Sequence, residues 1–94
     1  SLAAAGSAAH AATQDPPVRI LLVDDDPGIL DMLADIFEGF GFHAKTASSG
    51  GAALTSLRDE SFDVAMFDLR LPDMLGTDLL VRAREIQPHL KCIM

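Results

Sequence analysis

The most marked hydrophobic pattern in the chain lies at residues 18–28, VRILLVDDDPG, where an aliphatic run stops at three consecutive aspartates. A short, branched apolar run that ends in a polar turn is typical of a strand buried on both faces, as in the centre of a parallel sheet. A second such run, FDVAMFD at residues 62–68, also stops at a carboxylate. These two runs predict strands 1 and 3.

Apolar residues at helical spacing predict three helices between the apolar runs. In the first helix, Asp26 is the expected N-cap and Pro27 the first helical residue, and Phe37 and Phe40 are expected in the core. The first predicted helix starts at Pro27 and ends at Gly39 to Gly41. The second starts after the Ser48–Ser49 caps and ends at about Glu60. The third starts at Gly76 or Thr77 and ends before Pro88.

Two further short segments, residues 42–46 and 90–94, predict strands 2 and 4. The predicted order is therefore β-α-β-α-β-α-β, and strands that alternate with helices imply right-handed crossovers and a parallel sheet covered on both faces. We predict an α/β domain over residues 18–94. The Ala-rich residues 1–17 are expected to form a disordered tail, because isolated Ala-rich helices of this length are marginal in water.

Composition narrows the classes of partner. With 14 acidic and 7 basic residues, the net charge of -7 argues against nucleic acid, which is bound through clustered Lys and Arg. The sequence has neither a span long enough to cross a membrane nor the basic start of a secretory signal, so no membrane partner is expected. The single Cys92 is most simply a buried, reduced thiol. A cytoplasmic location is therefore expected.

The candidate chemistry lies at the carboxyl ends of strands 1 and 3, where Asp24, Asp25 and Asp68 are expected to meet. Carboxylates a few ångströms apart repel by roughly 4 kcal/mol per pair at an effective dielectric near 20, so a cation or a shared proton must relieve them. Mg²⁺ is the natural occupant. Helix capping and turn chemistry would explain either acidic segment alone, whereas both together favour a metal or phosphoryl site.

Residues 18–94 resemble the receiver domain of bacterial two-component response regulators. The matching segments are ILLVDDDP, the Ala47–Gly50–Ala53–Leu54 pattern, FDLRLPDMLG with its Pro72 and Gly76, and GTDLL. The resemblance implies a flavodoxin-like (CheY-like) fold with strand order 2-1-3-4-5. It also implies a signalling module that takes a phosphoryl group from a sensor histidine kinase.

The resemblance assigns roles to individual residues. Asp68 looks like the phosphoacceptor, and Asp24 and Asp25 look like the acidic pair of the family. In the family, Mg²⁺ is held by the residues that correspond to Asp25, Asp68 and the backbone carbonyl of Arg70. Asp24 is expected to contact the ion through water. Such a module is not a classical enzyme, since at most it catalyses its own phosphorylation and dephosphorylation.

The family's strand-4 hydroxyl residue and strand-5 lysine would fall beyond Met94, together with two helices. We therefore expect a partial receiver domain, incomplete at its C-terminus after strand 4. Strand 4 would then be an open edge, and open edges recruit another chain. A homodimer through this edge is the expected consequence.

Two other functions stay open at this stage. The chain could be a non-phosphorylated, receiver-like interaction or dimerisation module in which the acids are vestigial. It could also be a small phosphatase with Asp24 as nucleophile and Asp26 as acid, similar to the DxD motif of haloacid-dehalogenase-type enzymes. The phosphatase is disfavoured because Pro27 and Gly28 stand where that motif needs Thr or Val.

Overall fold

The computed structural model describes residues 16–94, which form alternating strands and helices in the predicted order. In chain order the elements are β1 (Arg19–Val23), α1 (Pro27–Gly39), β2 (His43–Ala47), α2 (Gly50–Asp59), β3 (Val64–Phe67), α3 (Gly76–Ile86) and β4 (Lys91–Ile93). Most of the tail that was predicted to be disordered, residues 1–15, lies outside the described residues. No helix in the described part of the chain is both long and apolar enough to cross a membrane.

The four strands form one parallel sheet in the order β2-β1-β3-β4. This confirms the predicted α/β, flavodoxin-like class and, for these four strands, the predicted order 2-1-3-4. After β1 the chain builds β2 on one side, and it then returns to build β3 on the other side. The order of the strands therefore reverses between β1 and β3, and ligands of open α/β sheets bind outside the strand ends at such a reversal.

β1 is the centre of the core, because its side chains are buried on both faces of the sheet. Leu21 and Val23 pack into a cluster with α2 and α3, whereas Ile20 and Leu22 pack against α1. These four residues are no more than 2% exposed. An apolar strand with no polar face is thus explained by helices on both sides, as predicted.

The N-terminus of α1 is capped as predicted. Oδ1 of Asp26 accepts hydrogen bonds from the backbone N–H groups of Gly28 (2.9 Å) and Ile29 (3.4 Å), with Pro27 at the first helical position. The cap satisfies N–H groups that have no partner inside the helix. Asp26 is therefore committed to the start of α1.

The end of α1 corrects one prediction. Phe37 is partly buried and stacks on Phe42, with ring centroids 5.5 Å apart, but Phe40 is 77% exposed and is not a core residue. Phe40 is the C-cap, one position beyond the last helical residue Gly39, and its side chain lies outside the apolar cluster that α1 forms with β1. The chain then turns at Gly41, whose φ of 90° favours glycine.

Gln87, just after α3, stabilises the end of the sheet that lies opposite the aspartates. Its Nε2 donates to the carbonyl oxygens of Leu57 (2.7 Å) and Glu60 (2.6 Å), and its Oε1 accepts from the N–H of Phe62 (3.0 Å). One side chain thus satisfies three backbone groups, one in the last turn of α2 and two in the connection from α2 to β3. The contact links α3 to the segment that leads into β3.

Replacing Leu79 of α3 with alanine is expected to lower the free energy of unfolding by about 2–5 kcal/mol, because the fully buried side chain would leave a cavity. Val81→Ala on the same helix is the control, since Val81 is 60% exposed and its truncation should change stability by less than about 0.5 kcal/mol. Urea denaturation followed by circular dichroism measures both. Equal losses would contradict the packing described for α3.

Candidate functional site

The site lies where β1 and β3 end side by side. Asp68 directly follows β3, and its backbone N–H donates to the carbonyl oxygen of Val23, the last residue of β1, at 2.9 Å. One carboxylate oxygen from each of Asp24, Asp25 and Asp68 lies within 4.8 Å of the other two. The structure thus brings together the three carboxylates that were singled out in the sequence.

The three consecutive aspartates after β1 have different surroundings. Oδ1 of Asp24 accepts from the backbone N–H of Asp26 at 2.9 Å, which closes the turn between β1 and α1. Asp24 is half-buried, as is Asp68 across the site, whereas Asp25 is exposed. Asp26 caps the helix instead of joining the cluster. The three consecutive aspartates therefore have different roles: Asp24 closes a turn, Asp25 is an exposed carboxylate, and Asp26 caps a helix.

The acidic cluster lacks a protein counter-charge within residues 16–94. The two ion pairs in this part of the chain both involve Glu60, with Arg19 and with Lys45, and neither includes an aspartate of the cluster. Glu60 lies in the connection from α2 to β3, away from the cluster. Carboxylates this close favour binding of a cation, and oxygen ligands suit Mg²⁺. The donor set therefore fits the predicted metal.

The loop after Asp68 folds back on its own start. The N–H of Gly76 donates to the carbonyl oxygen of Leu69 at 2.6 Å, and Arg70 pairs with Leu75 in an isolated antiparallel bridge. A Cβ atom at position 76 would lie 2.4 Å from the backbone oxygen of Asp68, so only glycine fits there. Arg70 thus lies in a closed loop that begins directly after Asp68, while the role of its carbonyl remains a prediction.

Asp73 is a structural residue of this loop that was not predicted from the sequence. Its Oδ1 accepts from the N–H of Gly50 and its Oδ2 from the N–H of Gly51, both at 2.8 Å. Aspartate is a common N-cap residue, but here it caps α2 from more than 20 positions along the chain. The local signal for a cap pointed to Ser49, which does accept from the N–H of Ala52 at 3.1 Å.

The contact with α2 also affects the ionisation of Asp73. The N–H groups of Gly51 and Gly50 stabilise its ionised form and hold the pKa of this carboxyl below its ordinary value. A lowered pKa favours the folded state when the group is ionised. The contribution is therefore fully present above the ordinary aspartate pKa, and it is lost as the pH falls through the lowered one.

The close packing around position 50 explains why the residue there is glycine. It is buried, and a Cβ atom there would lie 2.5 Å from Cγ and Sδ of Met74. Among the described glycines the positive φ occurs at Gly41, so the α2 glycine does not serve a left-handed turn. The side chain of Met74 instead lies directly over the first turn of α2.

With this geometry established, comparison with known proteins identifies the family. Residues 20–94 match the response regulator receiver domain. The chain belongs to this family. This confirms the resemblance carried by the acidic strand ends and by the FDLRLPDMLG segment.

Relatives and solved structures agree with this assignment. The receiver domain is 38% identical over 77 residues to the transcriptional regulatory protein GlrR of Escherichia coli, which covers 82% of this chain and 17% of GlrR. A CheY-like receiver domain structure from Methanospirillum hungatei superposes with a TM-score of 0.82 at 43% identity, covering 84% of this chain and 63% of that chain. The chain therefore spans less than two thirds of the length of these proteins.

A third comparison concerns a structure that contains a ligand. The response regulator TrrA from Thermotoga maritima, in complex with Mg²⁺ and BeF, superposes with a TM-score of 0.77 at 28% identity. The match covers 82% of this chain and 67% of the TrrA chain. The ligand-bound relative thus shares the fold of this receiver domain.

Replacing Gly76 with alanine is expected to lower the free energy of unfolding by about 1–3 kcal/mol, because the added methyl group would overlap the backbone oxygen of Asp68. Gly39→Ala is the control, since a Cβ atom at the end of α1 would meet no atom within 4 Å. Urea midpoints of the two variants provide the measurement. If Gly76→Ala were as stable as Gly39→Ala, the close approach of the loop to Asp68 would be wrong.

Proposed function

We propose that this receiver domain accepts a phosphoryl group on Asp68 from a sensor histidine kinase, with Mg²⁺ held by the acidic cluster. The observation that carries the proposal is the convergence of three carboxylates within 4.8 Å. The ion pairs of residues 16–94 leave these carboxylates without a protein counter-charge. Such a cluster is costly unless it serves to bind a cation.

Asp68 is the proposed nucleophile. Its N–H bond to Val23 holds the backbone of Asp68 against the end of β1, while Oδ1 of Asp24 is already engaged by the N–H of Asp26. An oxygen of the Asp68 carboxylate attacks the phosphorus of the donor and forms the new O–P bond. The bond from phosphorus to the leaving group breaks, and the leaving group keeps the electron pair.

The chain's own residues would hold the cation. Asp25, Asp68 and the backbone carbonyl of Arg70 are the proposed direct ligands, and Asp24 is the proposed water-mediated one. Mg²⁺ uses one or two carboxylates together with waters and a substrate phosphate. When bound, it would neutralise charge on the transferring phosphoryl oxygens. The similar protein TrrA has been solved in complex with Mg²⁺ and BeF, which supports Mg²⁺ as the cation of the proposal.

The alternative functions receive less support from the site. A phosphatase that used Asp26 as its acid would need a free carboxyl group, but Oδ1 of Asp26 accepts two N–H groups at the start of α1. An interaction module would leave the juxtaposed carboxylates without a role. The homodimer through the edge of β4 stays a prediction, as does the cytoplasmic location, and light scattering on the purified chain would test the dimer.

Asp68→Asn is expected to abolish labelling by acetyl phosphate in the presence of Mg²⁺, because an amide oxygen is a poor nucleophile for this transfer. Intact-mass spectrometry measures the added phosphoryl group. Asp35→Asn, at an exposed position of α1, is the matched control and should label like the unmodified chain. Labelling of Asp68→Asn at the level of the control would contradict the assignment of the phosphoacceptor.

Millimolar Mg²⁺ is expected to raise the melting temperature, because the ion binds the folded cluster and not the dispersed carboxylates of the unfolded chain. Asp25→Asn should remove most of this rise, since it takes away one of the proposed ligands. Circular dichroism melts with and without Mg²⁺ measure the shift, with Asp35→Asn again as the control. An undiminished rise in Asp25→Asn would place the cation elsewhere.

A further inference from the structure

A contact outside the acidic cluster fixes the loop between β3 and α3 to the first turn of α2. Each oxygen of the Asp73 carboxylate accepts one backbone N–H from the first turn of α2, from Gly50 and from Gly51, at 2.8 Å. Asp73 is an exposed residue, so burial does not force its side chain towards α2. It nevertheless bridges two elements that are distant in sequence.

Met74 adds a second, apolar contact at the same place. Its side chain lies over Gly50 with no room for a Cβ atom between them, and it packs against the core cluster below. Two successive residues of the loop therefore rest on the first turn of α2. We call this pair of contacts, Asp73 with Gly50 and Gly51 and Met74 with Gly50, the loop clamp.

The loop clamp acts on the segment that contains Arg70. The two ends of this segment are already joined by the bond from Gly76 to Leu69 and by the bridge from Arg70 to Leu75. These contacts close the loop on itself, and the partly buried side chain of Leu71 packs against the core cluster. The loop clamp adds a direct restraint from the first turn of α2.

We propose that Asp73 is a positioning residue, which holds the loop so that Asp68 and the Arg70 carbonyl are ordered for a divalent cation before it binds. The inference rests on the proposed function for the identity of that cation. A restrained loop binds more tightly because it has less freedom to lose on binding. Groups that orient metal ligands without touching the metal typically change metal affinity by about 10–100-fold when removed.

The Asp73→Asn variant tests the chemistry of the clamp. An amide has a single oxygen acceptor, and its NH₂ group would face one of the two N–H donors of α2. We expect Asp73→Asn to stay folded, to shift the amide resonances of Gly50 and Gly51, and to bind Mg²⁺ about tenfold more weakly. Nuclear magnetic resonance titration with MgCl₂ gives the Kd and both amide signals in one experiment.

Two matched variants separate positioning from a simple loss of charge. Asp78→Asn removes an equal charge from the first turn of α3, and this exposed residue is not part of the loop clamp. Its Kd should stay within about twofold of the unmodified chain. Gly50→Ala keeps every charge but forces the Met74 side chain to shift from its place over α2, so it should weaken Mg²⁺ binding in the same direction as Asp73→Asn.

The results also separate this inference from the proposed function. An unmodified chain that binds Mg²⁺, with an unchanged Kd in Asp73→Asn, would overturn the positioning role alone. Equal weakening in Asp73→Asn and Asp78→Asn would overturn it too, since charge would then explain the effect. An unmodified chain that binds no Mg²⁺ would overturn both proposals. If Asp73→Asn does not fold, Gly50→Ala decides the question.

Discussion

The acidic site depends on the parallel pairing of β1 with β3. The register places Val23 beside Phe67, and the next residue of the second strand, Asp68, donates its N–H to Val23. Because both strands run in one direction and stop at the same level, the carboxylates that follow them meet at one edge of the sheet. A slip of one residue would turn the side chains of β3 to the opposite face.

The packing of β1 protects this register against the repulsion of the carboxylates. The strand is buried by α1 on one face and by α2 and α3 on the other. Moving β1 along β3 would therefore disrupt two apolar clusters at once. The charged edge is thus supported by the most completely buried strand of the sheet, and a bound cation would relieve the remaining repulsion.

The loop after Asp68 shows how distant parts of the chain order a site. Gly76 lets the backbone return to within contact of the Asp68 carbonyl, and Asp73 reaches the first turn of α2. Most of the loop is exposed, so hydrogen bonds with N–H groups of a helix terminus add to the restraint that Leu71 and Met74 provide by packing against the core. The receiver domain therefore holds its proposed acceptor through backbone contacts as much as through packing.

The sequence alone determined the class of fold, most element boundaries and the three aspartates of the cluster. These follow from local properties, namely the apolar runs of β1 and β3, the Asp26 cap and the helical spacing of apolar residues. Even there, local periodicity failed at Phe40, because a repeating apolar pattern does not reveal whether its last residue has neighbours that cover it.

Only the tertiary structure decided the contacts between residues that are far apart in the chain. Asp73 caps α2, which lies more than 20 positions away in the chain. Gly50 leaves space for the side chain of Met74, and Gly76 leaves space for the backbone carbonyl of Asp68. A capping aspartate or a small residue has the same local signature wherever its partner lies. The partner is set by how the helices pack on the sheet, and that information is spread over the whole chain.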